Sequence, residues 1–321
     1  MKFLLISNTG QGLGLALKLK EEGNDVAAAI RDGKSRRNYS GLVRKVQRWD
    51  DFLDKDTVVV FDSYGAGRTA DRLRGKGNPV FGSSDFGDRL TGDKELAREF
   101  LKEAGAKLPA RPIEGWFDGK KFLRPFVHTL SRTHLMNDDL GPEVESAGAL
   151  AWPAKEEEDV LSKMEPIFAH HGYIGPVTVD SKGFKAHLSY DSLPALLRLH
   201  EGEVGSLISN LAKSQTQGVL SLRDGFAGAL RVSLPPPGRG KKIKGFTGED
   251  RPNVYFYDVE FNGEGELRTT GDNLAALTGL GETPTTAFEK PYEIAKRIEL
   301  PERMYRTDLG PIFTREVKGE S

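Results

Sequence analysis

The residues Asn8-Thr9-Gly10-Gln11-Gly12-Leu13-Gly14 set three glycines at alternate positions between an apolar run and a helical one. Glycines let a backbone approach an anion, and a helix N-terminus adds free N–H groups and the positive end of its dipole. Gly10, Gly12 and Gly14 are therefore candidate phosphate-binding donors. A dinucleotide fingerprint would need its third glycine one position after Gly14. Asp32, just past the next strand, is placed to contact a ribose, and a nicotinamide-binding reading rests on it. No glycine loop ends in Gly-Lys-Ser/Thr and no serine sits in a Gly-x-Ser-x-Gly elbow, so neither a Walker site nor serine nucleophilic catalysis is expected. His128, His134, His170, His171, His187 and His200 lack metal-ligand spacing, and Asp138-Asp139 reads as a turn. With no cysteine, thiolate metal sites, disulfides and thiol nucleophiles are excluded together, and no metal site is expected.

These groups belong to a chain of 321 residues, long enough for two or three packed lobes. Hydrophobic residues make up 37% and charged residues 29%. No run approaches the ~20 apolar residues of a membrane span. The opening Met1–Ser7 segment is too short for a signal peptide and runs into the glycine loop, so a buried first strand and a cytoplasmic protein are expected. The net charge of −1 provides no global attraction for nucleic acid. Between Arg31 and Arg48 lie Lys34, Arg36, Arg37, Arg44 and Lys45, opposed only by Asp32. The acids that follow at once make this stretch read as a solvated face.

Apolar runs of strand length fall at Phe3–Ser7, Val26–Ile30, Thr57–Asp62 and Pro79–Phe81, with a helix over Leu13–Glu22. Asp93 can cap a second helix that runs toward Gly105. This alternation predicts a mainly parallel, doubly wound sheet. Farther along, Leu108–Pro112 and Gly115–Pro125 read as loops with short strands, and Leu140–Pro153 as a glycine-rich stretch. A helix over Glu156–His171, a strand over Tyr173–Val179 and helical spacing over Leu193–Lys213 come next. Val219–Val232 suggests strands about a turn at Asp224-Gly225, Asn253–Phe261 alternates as strand, and Thr285–Lys296 reads as a final helix. The α/β organisation expected is an N-terminal Rossmann-like domain (1–90), a reduced central α+β part (91–215) and a C-terminal β-rich domain with a helix (216–321).

The succession of motifs resembles phosphoribosylamine–glycine ligase, a family of the ATP-grasp superfamily. It is carried by the strand–glycine loop–helix start, Phe81-Gly82-Ser83-Ser84, Thr91-Gly92-Asp93-Lys94 before a helix ending ahead of Leu108-Pro109, and Asp139-Leu140-Gly141-Pro142 through Gly148-Ala149 to Pro153. Gly172-Tyr173-Ile174-Gly175, Thr270-Gly271, Thr278-Gly279 and the closing Tyr305-Arg306-Thr307-Asp308-Leu309-Gly310 continue it in order. The resemblance implies ATP and magnesium as cofactors. It implies a ligand pocket between the glycine loop and the C-terminal part, with Ser83, Ser84 and Gly148 joining the loop glycines and Arg306 and Asp308 orienting the ligand or tying down the C-terminus. Arg98 falls where the family's helix carries a phosphate-binding lysine, and so becomes the candidate catalytic residue.

Departures from the pattern shape the expected function. Only 31 residues, 110–140, separate Pro109 from Gly141, too few for one nucleotide-clamping lobe. The magnesium-binding Glu-x-Asn has no counterpart in Lys185–Asp191, and Glu143-Val144-Glu145-Ser146 brings two negative charges toward the pocket, which favours an amine over a phosphate. The expected protein is thus a ligase relative that binds a phosphoribosyl or nucleotide-like small molecule, with standard ATP-driven carboxylate–amine ligation altered or lost. Alternatives are an active amine–carboxylate ligase of purine synthesis or of nucleotide or DNA-base modification, and a non-catalytic scaffold or regulatory protein.

Overall fold

The computed structural model describes residues 1–154 and 159–319. Its first part runs β1 (Lys2–Ser7), α1 (Leu13–Glu21), β2 (Asp25–Ile30), β3 (Arg44–Lys45), β4 (Val58–Phe61), α2 (Gly67–Gly75), β5 (Val80–Phe81), α3 (Asp85–Gly92) and α4 (Lys94–Glu103). The five strands form a parallel sheet in the order β3-β2-β1-β4-β5. Strands such as Val58–Phe61 are buried at every position, as a parallel sheet covered on both faces requires. The strand order reverses between β1 and β4, where Ile6 pairs with Phe61. The carboxyl ends of these two strands therefore lie side by side, the place where such sheets build their sites. Asp93 caps α4 as expected, accepting from the amides of Glu95 and Leu96.

The chain continues through β6 (Ile113–Phe117), β7 (Val127–His134), β8 (Glu143–Pro153), α5 (Asp159–His170), β9 (Gly175–Asp180), β10 (Gly183–Lys185), α6 (Leu193–Leu199) and α7 (Val204–Ala212). It ends with β11 (Phe226–Ser233), β12 (Val254–Phe256), β13 (Val259–Phe261), β14 (Leu267–Thr269), β15 (Asn273–Gly281), α8 (Pro284–Ala287), α9 (Glu289–Arg297) and α10 (Leu309–Lys318). An eight-stranded antiparallel sheet has the order β10-β9-β6-β7-β8-β11-β15-β12, and β13 and β14 form a separate hairpin. Residues 110–142 contribute β6, β7 and a short 3-10 turn, so no separate lobe is built there. The sheet carries strands from both sides of residue 215, with β8 paired to β11.

The stretch Leu140–Pro153, expected as a glycine-rich segment, contains the 11-residue strand β8. The reason is packing: at Gly148, inside β8, a Cβ would meet Leu309 Cδ1 at 2.3 Å, and the same holds in the neighbouring strands. Gly228 and Gly279 face each other across β11 and β15, and a Cβ at either would lie within 3.0 Å of the Ala287 carbonyl oxygen. Glycines here let α8 seat close on the sheet rather than marking loops. Instead of strands about a turn, Val219–Val232 contributes the single strand β11, and two helices, α6 and α7, replace one continuous run over Leu193–Lys213. The start of the helix expected at Glu156 lies outside the described residues.

Candidate functional site

The glycine loop leaves β1 at Ser7 and enters α1 at Leu13. Gly10 has φ +83°, a left-handed conformation that glycine adopts freely. Its amide donates to Ser7 Oγ at 2.7 Å, and the Gly12 amide donates to Asp62 Oδ2 at 3.0 Å. Asp62 directly follows β4, so the strand reversal brings it beside the loop. A side chain at Gly12 would meet Asp62 Oδ2 at 2.6 Å, the Tyr190 hydroxyl at 2.7 Å and the Tyr39 hydroxyl at 3.1 Å. Burial pushes the Asp62 carboxyl up to about 6, against the lowering effect of the Ser7 hydroxyl and the Gly12 amide. A carboxylate of the protein thus takes up one donor that a helix N-terminus would offer an incoming anion, and a serine hydroxyl takes up another in the loop. Gly14 has another duty: a Cβ there would lie 2.9 Å from Tyr255 Cα, so it lets α1 lie against β12.

A cavity of about 550 Å3 opens beyond this loop, among the β7–β8 connection, the end of β11 and the start of β15. Leu135, Met136, Val144, Leu234 and Pro236 give it apolar walls; Glu145, Arg231, Asp272 and Asn273 are among its polar groups. Arg231 is only 3% exposed. Its guanidinium lies 4.0 Å from the Tyr257 ring centroid and donates to the Tyr190 carbonyl at 3.4 Å. It forms no ion pair among the described residues, an expensive arrangement for a buried charge. Glu145 accepts from Gln11 Nε2 at 2.8 Å and so joins the cavity to the glycine loop. Burial, then repulsion from Asp191, raises the Glu145 carboxyl, while Arg231 and Gln11 oppose the shift. The hydroxyls of Tyr190 and Tyr257 are buried without a hydrogen-bond partner among the described residues. Their rings meet edge to face at 6.3 Å.

No family model matches the sequence. The phosphoribosylamine–glycine ligase of Thermotoga maritima is 27% identical over 238 residues, which cover 66% of this chain and 56% of that protein. The enzyme of that name from Mycobacterium tuberculosis is 24% identical over 257 residues, 69% of this chain and 60% of its own. Among solved structures, the Thermotoga maritima phosphoribosylamine–glycine ligase superposes with a TM-score of 0.72 at 15% identity, covering 96% of this chain and 100% of that one. The biotin carboxylase subunit of pyruvate carboxylase gives 0.61 at 12% identity over 100% and 98% of the two chains. The chain is a shortened relative of phosphoribosylamine–glycine ligase. Its fold is that of the ATP-grasp proteins, and it spans a little over half the length of the curated relatives it matches.

The residues that carried the likeness to phosphoribosylamine–glycine ligase do not all meet at the cavity. Ser84 caps α3 by accepting from the Gly87 amide at 2.8 Å, and Ser83 donates to Asp88 at 3.2 Å. Gly148 lies in β8, where a Cβ would sit 2.3 Å from Leu309 Cδ1. Arg98 is on the exposed face of α4, its side chain 68% accessible and paired with Glu95. The Arg306 side chain is fully buried and holds Asp139, Asp308 and the His134 carbonyl, while Asp308 accepts from the Asp138 amide at 2.9 Å. This network fastens the segment before α10 to the β7–β8 turn. Sequence reading brought forward Gly10, Gly12 and Glu145 but passed over Asp62, Tyr190, Tyr257 and Arg231. One signal was visible: Arg231 is the lone charge in the apolar run Phe226–Ser233.

Around Lys185–Asp191 the strands form a polar recess of about 50 Å3. Lys185 Nζ lies 3.0 Å from Asp191 Oδ2, and the other Asp191 oxygen is buried without a partner among the described residues. Glu114, fully buried, accepts from Trp116 Nε1 at 2.9 Å and Ser192 Oγ at 3.0 Å. Its burial raises the carboxyl. A lysine ammonium already neutralises the carboxylate that a hard divalent cation would need, so these residues do not fit a magnesium site. Among the described residues, no three His, Asp or Glu side chains are grouped to hold a metal ion.

Proposed function

We propose that this chain is a ligase-like protein that holds a phosphoribosyl or nucleotide-type small molecule in the cavity beside the glycine loop, with standard ATP-driven ligation altered or lost. The observation that carries this reading is Arg231, a buried guanidinium without an ion-pair partner among the described residues, on the wall of a cavity of about 550 Å3. That volume lies within the usual range for small-molecule sites. An anionic group on the ligand relieves the unpaired charge of Arg231, and Glu145 and Asp272 on the same walls suit an amine. Loss of standard ligation is supported by the Lys185–Asp191 pair and by the loop amides of Gly10 and Gly12, which already have acceptors in Ser7 and Asp62.

The test is a thermal-shift comparison with glycinamide ribonucleotide and, separately, with Mg-ATP. At one hundred times its dissociation constant a ligand stabilises the fold by about 2.7 kcal/mol. Glycinamide ribonucleotide is expected to raise the melting temperature of the natural protein and to leave Arg231→Met unmoved, with no response to Mg-ATP in either. Stabilisation by Mg-ATP together with ADP release on adding an amine and a carboxylate would establish the active ligase instead. No response of the natural protein to the ribonucleotide would remove the ligand reading.

A further inference from the structure

We propose that the β2–β3 edge of the five-stranded sheet, with Arg239, is a docking surface for a single strand of nucleic acid. Residues 31–48 hold seven Lys or Arg and one Asp, a charge of +6; since the whole chain is −1, the remainder carries −7. The folded arrangement sharpens this asymmetry. Arg37 is paired with Glu260, and Arg48 faces Asp51 at 3.8 Å. Arg31, Lys34, Arg36, Arg44 and Lys45 are exposed, and they form no ion pair among the described residues. Asp32, the single acid of the stretch, is held by the Lys34 amide at 3.0 Å and the Ser35 hydroxyl at 3.3 Å. Arg239 arrives from the C-terminal part, donates to the Lys34 carbonyl at 3.4 Å, and brings a sixth unpaired cation to the same edge. Lys45 Nζ donates to the Arg36 carbonyl at 2.6 Å and to Ser40 Oγ at 2.7 Å, so the turn carrying these cations is fixed against β3.

A pocket of about 490 Å3 opens under this turn. Ala28, Ile30 and Val46 give it an apolar floor, and Arg36, Lys45 and Gln47 form its rim. One phosphate would engage two or three of the six cations; a phosphodiester chain engages the row and releases its counterions. The apolar floor suits the face of an unstacked base, and the Gln47 amide offers a donor and an acceptor to a base edge. A duplex keeps its bases stacked and presents none to such a pocket. This inference is independent of the cavity around Arg231.

The experiment is fluorescence anisotropy of a labelled single-stranded oligonucleotide with the full chain, titrated at several salt concentrations. The expected slope of log K against log salt is about −3 to −4, the value for four to six phosphates on a single strand. Neither the Lys34 nor the Arg36 side chain makes a hydrogen bond among the described residues, so Lys34→Glu/Arg36→Glu is expected to fold like the natural protein, which circular dichroism checks. Binding by that variant should weaken at least about tenfold, with the slope reduced by about 1.4. Lys76→Glu/Lys102→Glu, the same charge change at the ends of α2 and α4 on the β5 side of the sheet, should bind as the natural protein does. Four results would each overturn the proposal. These are no binding at low salt, equal weakening by both double variants, equally tight binding of duplex, and displacement of the strand by a nucleoside monophosphate at equal concentration.

Discussion

Asp62 Oδ2 accepts the amide of Gly12 at 3.0 Å, so an N–H group at the start of α1 is already occupied by the protein's own carboxylate. The Asp62 carboxyl is raised from 3.8 to about 6 because it is fully buried. The folded state therefore binds this proton more tightly than the unfolded chain. Its stabilising effect is complete below pH 3.8 and is lost as pH rises through 6. Asp62→Asn keeps an acceptor for Gly12 but cannot ionise. The stability of this variant relative to the natural protein is expected to rise by up to about 3 kcal/mol between pH 4 and pH 7, from a shift of roughly two units. Urea denaturation across that range measures it, and a pH-independent difference would contradict a buried, ionising Asp62.

Gly14 and Gly75 predict opposite signs for the same substitution. Gly14→Ala places a methyl group 2.8 Å from Tyr255 Cβ and 2.9 Å from Tyr255 Cα, so α1 must move off β12. Overpacking of this kind costs about 1–3 kcal/mol, enough to exceed the helix-propensity gain of roughly 1 kcal/mol. Gly75→Ala in α2 meets nothing within 4 Å and should stabilise by about 0.5–1 kcal/mol. Denaturation midpoints decide both.

Lys185→Met removes the partner of an Asp191 carboxylate whose side chain is 13% exposed. A loss of about 2 kcal/mol is expected, below the 3–5 kcal/mol of a fully buried pair because Lys185 is 43% exposed. Adding Asp191→Leu should recover most of it. A double-mutant cycle with no coupling would show that the pair contributes nothing to folding.

Arg98→Ala should leave stability within about 0.5 kcal/mol, since its contact with Glu95 is an exposed pair on one helix. Any ligand-induced rise in melting temperature is expected to persist unchanged in this variant. Its disappearance would place Arg98 in the ligand site.

The sequence made the parallel half legible because each of its signals is local: an apolar run for β1, a β-branched run for β4, a glycine loop, and an aspartate cap on α4. The antiparallel half was harder to see. Gly148 stood in a stretch legible only as glycine-rich, yet it sits in β8 with Leu309 packed against it, as Gly228 and Gly279 sit in β11 and β15 under α8. For the site, Glu145 stood out as a charge in a glycine-rich segment. Asp62 and Tyr190 did not, since 127 intervening residues separate two side chains that only the strand order brings together at Gly12. Arg231 was conspicuous as a charge among apolar neighbours, but its solitude appears only when the surrounding strands are in place.

The interleaved strand order of the eight-stranded sheet also governs how the protein is made. β8 cannot gain its second neighbour until β11, which begins at Phe226, leaves the ribosome, and β11 must wait in turn for β15. The parallel sheet, complete by Phe81, can close early in synthesis. For much of translation the nascent chain therefore carries a paired parallel sheet followed by strands with open edges, the stretch of its life in which chaperones have most to shield.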